Sequence, residues 1–155
     1  STMSMFTWAN AQLANLAETL APPPTTPPYQ YLTALKSQNE QMAMEIISTG
    51  QLGDPSSHLA LPSNNSTGLQ LIHYAAQYGC LQVVQYLVQQ CGVNCKSCFD
   101  YQGNTVLHWA TRGDNLNLVQ YLIAEAQCDA TVKNAAGQTA YDFCEDCDYN
   151  ANNAR

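Results

Sequence analysis

Charge is scarce in this chain, and positive charge is scarcest. Only 11% of the 155 residues are Asp, Glu, Lys or Arg, against roughly a quarter in an average soluble domain. Five Lys and Arg stand against twelve Asp and Glu, giving a net charge of -7. A basic footprint for phosphate backbones is therefore missing, and nucleic acid is not an expected partner. The same arithmetic excludes a polybasic patch for anionic membranes. No apolar run approaches the roughly 18 residues that a membrane span needs. The first twenty residues lack the basic start and apolar core of a secretion signal. Seven cysteines are an odd number and too sparse for a disulfide scaffold. Together these absences imply a reducing compartment, inside the cell and in the cytoplasm.

What is present suits one folded domain. Hydrophobic residues make up 46% of the chain, enough for a core at this length. Thirteen Asn and fifteen Gln take the place of the missing charge. The surface is thus expected to be polar but mostly neutral.

Residues 1–21 read as an amphipathic helix. Phe6, Ala9, Leu13, Leu16 and Leu20 recur at spacings of three and four, with Asn10, Gln12, Asn15 and Glu18 opposite. Such a helix either seals the end of the domain or meets a partner or a membrane surface. Against the membrane role stands the lack of Lys and Arg on its polar face. Residues 22–28 hold five prolines in seven positions, which favours an extended linker. Pro27 or Pro28 can also open the following helix, where a missing N–H is harmless.

From Tyr29 onward the chain repeats itself. Leu71, His73, Ala75, Leu81, Val84, Tyr86 and Leu87 recur 35 residues later as Val106, His108, Ala110, Leu116, Val119, Tyr121 and Leu122. A third copy opens at Gly137, 34 residues after Gly103. A period of this length marks a stacked repeat. Each unit offers two short helices, roughly 105–112 and 115–124 in the clearest copy, and neither can bury its apolar face alone.

Thr105-Val106-Leu107-His108-Trp109-Ala110 resembles the Thr-Pro-Leu-His-x-Ala signature of ankyrin repeats. Gln70-Leu71-Ile72-His73-Tyr74-Ala75 is a looser copy, and Thr139-Ala140-Tyr141-Asp142 is similar to a terminal variant. A degenerate copy over Leu32 to Ile47 precedes them. The resemblance covers residues 29–149. It implies an all-α solenoid of about four helix–turn–helix units, with repeats near 29–66, 67–99, 100–133 and 134–150. It also implies that His73 and His108 brace neighbouring backbone. The connector 51–67, with Gly53, Pro55 and Pro62, is far longer than the family's usual link. A loop that long is either functional or disordered.

No serine or cysteine carries a nucleophile-elbow pattern, and no glycine loop with its lysine is present. Neither an enzyme nor a cofactor is expected. Cys95-x-x-Cys98 and Cys144-x-x-Cys147 are separated by 45 residues, too far for a zinc ribbon. Reduced thiols are the first expectation, with structural zinc or a redox pair of Cys95 and Cys98 as alternatives. Asp142, Glu145, Asp146 and Asp148 read as a solvated face.

The resemblance implies a module that binds a partner protein or extended peptide on a concave face, acting as a monomer. By register, that face takes Tyr78, Phe99, Tyr101, Gln102, Asn104, Trp109, Arg112, Lys133 and Gln138. Thr67, Leu69 and Gln77 fall at similar positions. Aromatics and arginine dominate interface energies, so Tyr101, Trp109 and Arg112 stand out. Tyr74, Trp109 and Phe143 share one repeat position and are expected to form an aromatic ladder. Leu107-His108-Trp109-Ala110-Thr111-Arg112 also resembles a stretch in ankyrin-bearing palmitoyltransferases. That leaves open a regulatory or substrate-recruiting part of a larger enzyme. A membrane-surface adaptor, anchored by residues 1–21, is a further alternative.

Overall fold

The computed structural model describes residues 26–59, 61 and 67–143. The expected helix of residues 1–21, prolines 22–24 and the Cys144/Cys147 pair lie outside the described residues, as do Glu145, Asp146 and Asp148.

Among the described residues there are seven α-helices and no strand beyond one isolated bridge. They come in pairs: α1 (Pro27–Lys36) with α2 (Glu40–Ser48), α3 (Leu71–Gln77) with α4 (Leu81–Gln89), and α5 (Val106–Arg112) with α6 (Leu116–Ala124). A short 3-10 turn spans Cys95–Ser97, and α7 begins a fourth unit at Ala140–Phe143. First helices pack in one row, α1 on α3, α3 on α5 and α5 on α7, while α2 packs on α4. This is the all-helical solenoid that the repeat period predicts.

The boundaries follow from local chemistry. Pro27 and Pro28 occupy the first turn of α1, where no N–H is needed. Asn39 caps α2 by accepting from Met42 N at 3.1 Å. Asn115 caps α6 by accepting from Leu118 N at 2.9 Å. Thr105 makes a reciprocal cap on α5. Its hydroxyl accepts from His108 N at 3.2 Å, and His108 Nδ1 accepts from Thr105 N at 3.1 Å. Such caps satisfy N–H groups that the helix itself leaves unpaired. Between units there is little slack. Gly113 lies so close to the Gln77 carbonyl that a side chain there has no room.

Gln70 stands where Thr105 stands one repeat later. Its backbone N–H still donates to His73 Nδ1 at 2.9 Å. Its side-chain Oε1, however, is buried without a hydrogen-bond partner. Replacing Gln70 with Thr restores the cap and removes the orphan. Gln70→Thr is expected to raise stability by about 1 kcal/mol, read as a higher urea midpoint. A lower midpoint overturns this account.

The core runs the length of the stack: Tyr31, Leu35, Ile72, Leu87, Leu107 and Leu122 are fully buried. Tyr31 ties the first unit to the second through its hydroxyl, which donates to Leu71 O at 2.7 Å. The buried Cys80 thiol is pushed up to about 12 by desolvation and serves as packing. The described part of the long connector folds back on the body. Leu59 N donates to Leu69 O at 2.8 Å, His58 bridges Gln70 in antiparallel fashion, and Leu59 and Leu61 are buried.

Candidate functional site

The loops between units form a polar ladder that sets the position of the first helices. Asp100 Oδ1 accepts from Gln102 N at 2.9 Å and Asn104 N at 2.8 Å, which closes a tight turn. Asp100 Oδ2 accepts from Asn104 Nδ2 at 2.9 Å and from the Trp109 indole N–H at 3.1 Å. Asn134 repeats the turn one unit on, accepting from Ala136 N and Gln138 N at 3.0 and 2.9 Å. The two turns are joined by Asn134 Nδ2, which donates to Asn104 Oδ1 at 2.8 Å. Backbone bonds run alongside, from Tyr101 N to Thr67 O and from Ala135 N to Gln102 O.

Two buried histidines complete the brace. Nε2 of His73 donates to Cys98 O at 3.2 Å, and Nε2 of His108 donates to Gln138 O at 2.9 Å. Each imidazole thus links its own helix start to the next connector. Burial lowers the His73 pKa to about 4, outweighing the Cys98 carbonyl and the Asp100 charge, which favour protonation.

This scaffold holds open a groove of about 420 Å³ across the first helices. One wall is Tyr29, Leu32, Thr33 and Lys36 of α1. The other is Tyr74 and Gln77 of α3, then Tyr78 and Trp109, with Leu61, Thr67 and Leu69 from the connector. The lining mixes aromatic and aliphatic side chains with the polar Thr33, Thr67 and Gln77, and Lys36 is its one charged side chain. Trp109 is fixed by Asp100 and by an edge contact with Phe143, ring centroids 5.7 Å apart. The Arg112 guanidinium lies 5.2 Å from the Phe143 ring and 6.0 Å from the Trp109 ring, within reach of cation–π attraction.

The nine residues expected on the binding face are thus distributed unevenly. Tyr78 and Trp109 line the groove, and Arg112 extends its aromatic end. Phe99, Tyr101, Gln102 and Lys133 are exposed along the loops. Tyr101 is 62% exposed, yet it is held against the body. Its hydroxyl pairs with His58 Nδ1 at 3.1 Å and its ring covers Gly68, whose φ of +70° suits glycine. Asn104 is a correction: it is 1% exposed, and its side chain bridges Asp100 and Asn134 instead of facing a partner. Gln138 is half-buried and accepts from Asn134 Nδ2 at 3.1 Å.

Tyr29, Leu32, Thr33, Lys36 and Leu61 are groove residues that the repeat register does not reveal. A signal was nevertheless present. Positions 29, 32, 33 and 36 are spaced as one helix face, opposite the buried Tyr31, Ala34 and Leu35.

The family model for ankyrin repeats, three copies, matches residues 32–134. The chain is an ankyrin-repeat protein. Among curated proteins, Palmitoyltransferase AKR1 of Candida glabrata is 40% identical over 57 residues. That stretch is 37% of this ankyrin chain and 8% of the palmitoyltransferase. Ankyrin stacks typically act as protein-interaction modules, and the groove lies on the row of first helices. Among the described residues no helix is long and apolar enough to cross a membrane.

Proposed function

We propose that this ankyrin stack is a non-catalytic module that binds a partner protein through an extended segment laid in the groove between α1 and Trp109. The groove itself carries the reading: Tyr29, Leu32, Tyr74, Tyr78 and Trp109 offer apolar area, while Thr33, Gln77 and Lys36 offer polar contacts. A segment of a few residues fills a space of this size, and its backbone finds donors and acceptors along the wall. With one cation in the lining, the contact is dominated by apolar burial and hydrogen bonds, so affinity depends weakly on salt. Phe99, Tyr101, Gln102, Lys133 and Arg112 extend the surface along the loops for a larger partner.

The test is peptide selection on residues 1–155, followed by affinity measurement on variants. Tyr78→Ala removes half-buried groove wall without touching the ladder, and is expected to weaken selected peptides about tenfold. Tyr101→Ala is expected to change peptide affinity little. The reverse ranking moves the binding surface to the loops and overturns the groove.

The identity with Palmitoyltransferase AKR1 favours a second reading, in which the module recruits proteins to a larger acyl-transferring enzyme. On that reading, a groove-bound partner is S-acylated in cells, and its acylation falls with Tyr78→Ala. Unchanged acylation with lost binding separates the module from such an enzyme.

A further inference from the structure

Two thiols from successive units face each other in the connectors. Cys95 opens the 3-10 turn after α4, and Cys128 follows α6. They are 33 residues apart in sequence, and their sulfurs are 3.1 Å apart. Both are buried, 3% and 9% exposed, and a cavity of about 60 Å³ reaches them between Lys96, Thr105 and Asp129. A disulfide has an S–S length of about 2.05 Å, so the two sulfurs need to close by roughly 1 Å. Two thiols already in contact across a repeat boundary need little backbone movement to bond.

The Cys-x-x-Cys spacing points to Cys98 as the partner of Cys95. The fold places it otherwise. The Cys98 thiol donates to Asn94 O at 3.1 Å, and burial pushes it up to about 11. Cys95 is drawn below the usual thiol range, first by the hydrogen bond it shares with Cys128, in which either sulfur can donate, and then, against desolvation, by backbone and by the Lys96 charge. Cys128 is pushed up by the same hydrogen bond. A backbone hydrogen bond and the neighbouring Lys96 charge favour the thiolate at Cys95, which leaves Cys128 to resolve it.

We infer that Cys95 and Cys128 form an oxidation site that accepts hydrogen peroxide and closes an inter-repeat disulfide. In the first step the Cys95 thiolate attacks one peroxide oxygen, the O–O bond breaks, and hydroxide leaves and is protonated to water. Cys95 becomes a sulfenic acid. In the second step the Cys128 sulfur attacks Cys95, the S–O bond breaks, and the hydroxyl leaves as water with the Cys128 proton. Two thiols lose two electrons and two protons, and one peroxide becomes two waters. The bond locks the connector of the second unit to that of the third. It goes beyond the proposed binding role and does not depend on it.

The test uses the whole chain. Hydrogen peroxide is added, remaining thiols are alkylated in denaturant, and peptides are mapped by mass without reduction. A Cys95–Cys128 linked peptide is expected, reversed by dithiothreitol and still formed in Cys98→Ser. In Cys128→Ser a sulfenic acid on Cys95 is expected instead, trapped by a dimedone-type reagent. The linked chain is expected to melt roughly 10 °C higher, because the closed loop restricts the unfolded chain. A Cys95–Cys98 link, or full alkylation of Cys95 and Cys128 after peroxide, overturns the inference. The wild-type map decides this even if a variant fails to fold.

Discussion

Replacing Asp100 with Ala is expected to cost about 4 kcal/mol of stability, since charge-assisted hydrogen bonds contribute roughly 1.5–3 kcal/mol each and their buried donors are left unpaired. The carboxylate accepts from two backbone N–H groups, the Asn104 amide and the Trp109 indole, and it is buried. Asp100→Asn is the sharper test. At the matching place in the next unit an Asn already works, because Asn134 Nδ2 faces the acceptors Asn104 Oδ1 and Gln138 Oε1. At position 100 the same NH₂ would face two donors, Asn104 Nδ2 and Trp109 Nε1. Asp100→Asn is therefore expected to cost about 2 kcal/mol, measured by urea unfolding. It is also expected to weaken groove-bound peptides, because Trp109 loses the bond that aims it. A neutral Asp100→Asn would show that the ladder does not need an anion there.

That ladder also marks where sequence reasoning succeeds and stops. The pair α5 and α6 was legible almost to the residue, because its apolar positions recur in register with those of the preceding copy, and the structure adds the caps Thr105 and Asn115 that fix where each helix starts. The bracing role of His73 and His108 was legible through the family signature, and the geometry bears it out. The fate of Asn104 was not. Its exposure depends on a turn made by Asp100 and on Asn134, thirty residues later, which no local pattern encodes. The α1 wall of the groove escaped because the first unit has lost the hexamer that sets register. Tyr29 and Lys36 therefore had no counterpart to align with. Leu59 and Leu61 escaped for another reason. Isolated leucines in a Ser- and Pro-containing loop carry no period; Leu59 is buried where its N–H bonds Leu69 O, and Leu61 is buried where it lines the groove. Cys95 and Cys128 belong to different repeats, and stacking alone brings them together.

Acidification is expected to loosen the same stack through His73. In an unfolded chain this imidazole titrates near 6.5; in the folded protein burial holds it to about 4. Between those values the unfolded chain binds a proton that the folded chain does not. The contribution of neutral His73 is therefore fully present above pH 6.5 and is lost as the pH falls toward 4, by about 3 kcal/mol in all. The geometry explains the direction. Nδ1 must keep a lone pair to accept from Gln70 N, while Nε2–H donates to the Cys98 carbonyl. A second proton turns the acceptor into a donor facing a donor, at the start of α3 and beneath the connector. Urea midpoints at pH 7.5, 6.5 and 5.5 read the slope before most carboxylates protonate. His73→Gln keeps a donor for Cys98 O and has nothing to titrate. It is expected to be less stable at pH 7.5 but flatter across the window. Equal slopes in the two proteins would assign the acid sensitivity to other groups, and would remove His73 as the pH-sensitive joint between the second and third units.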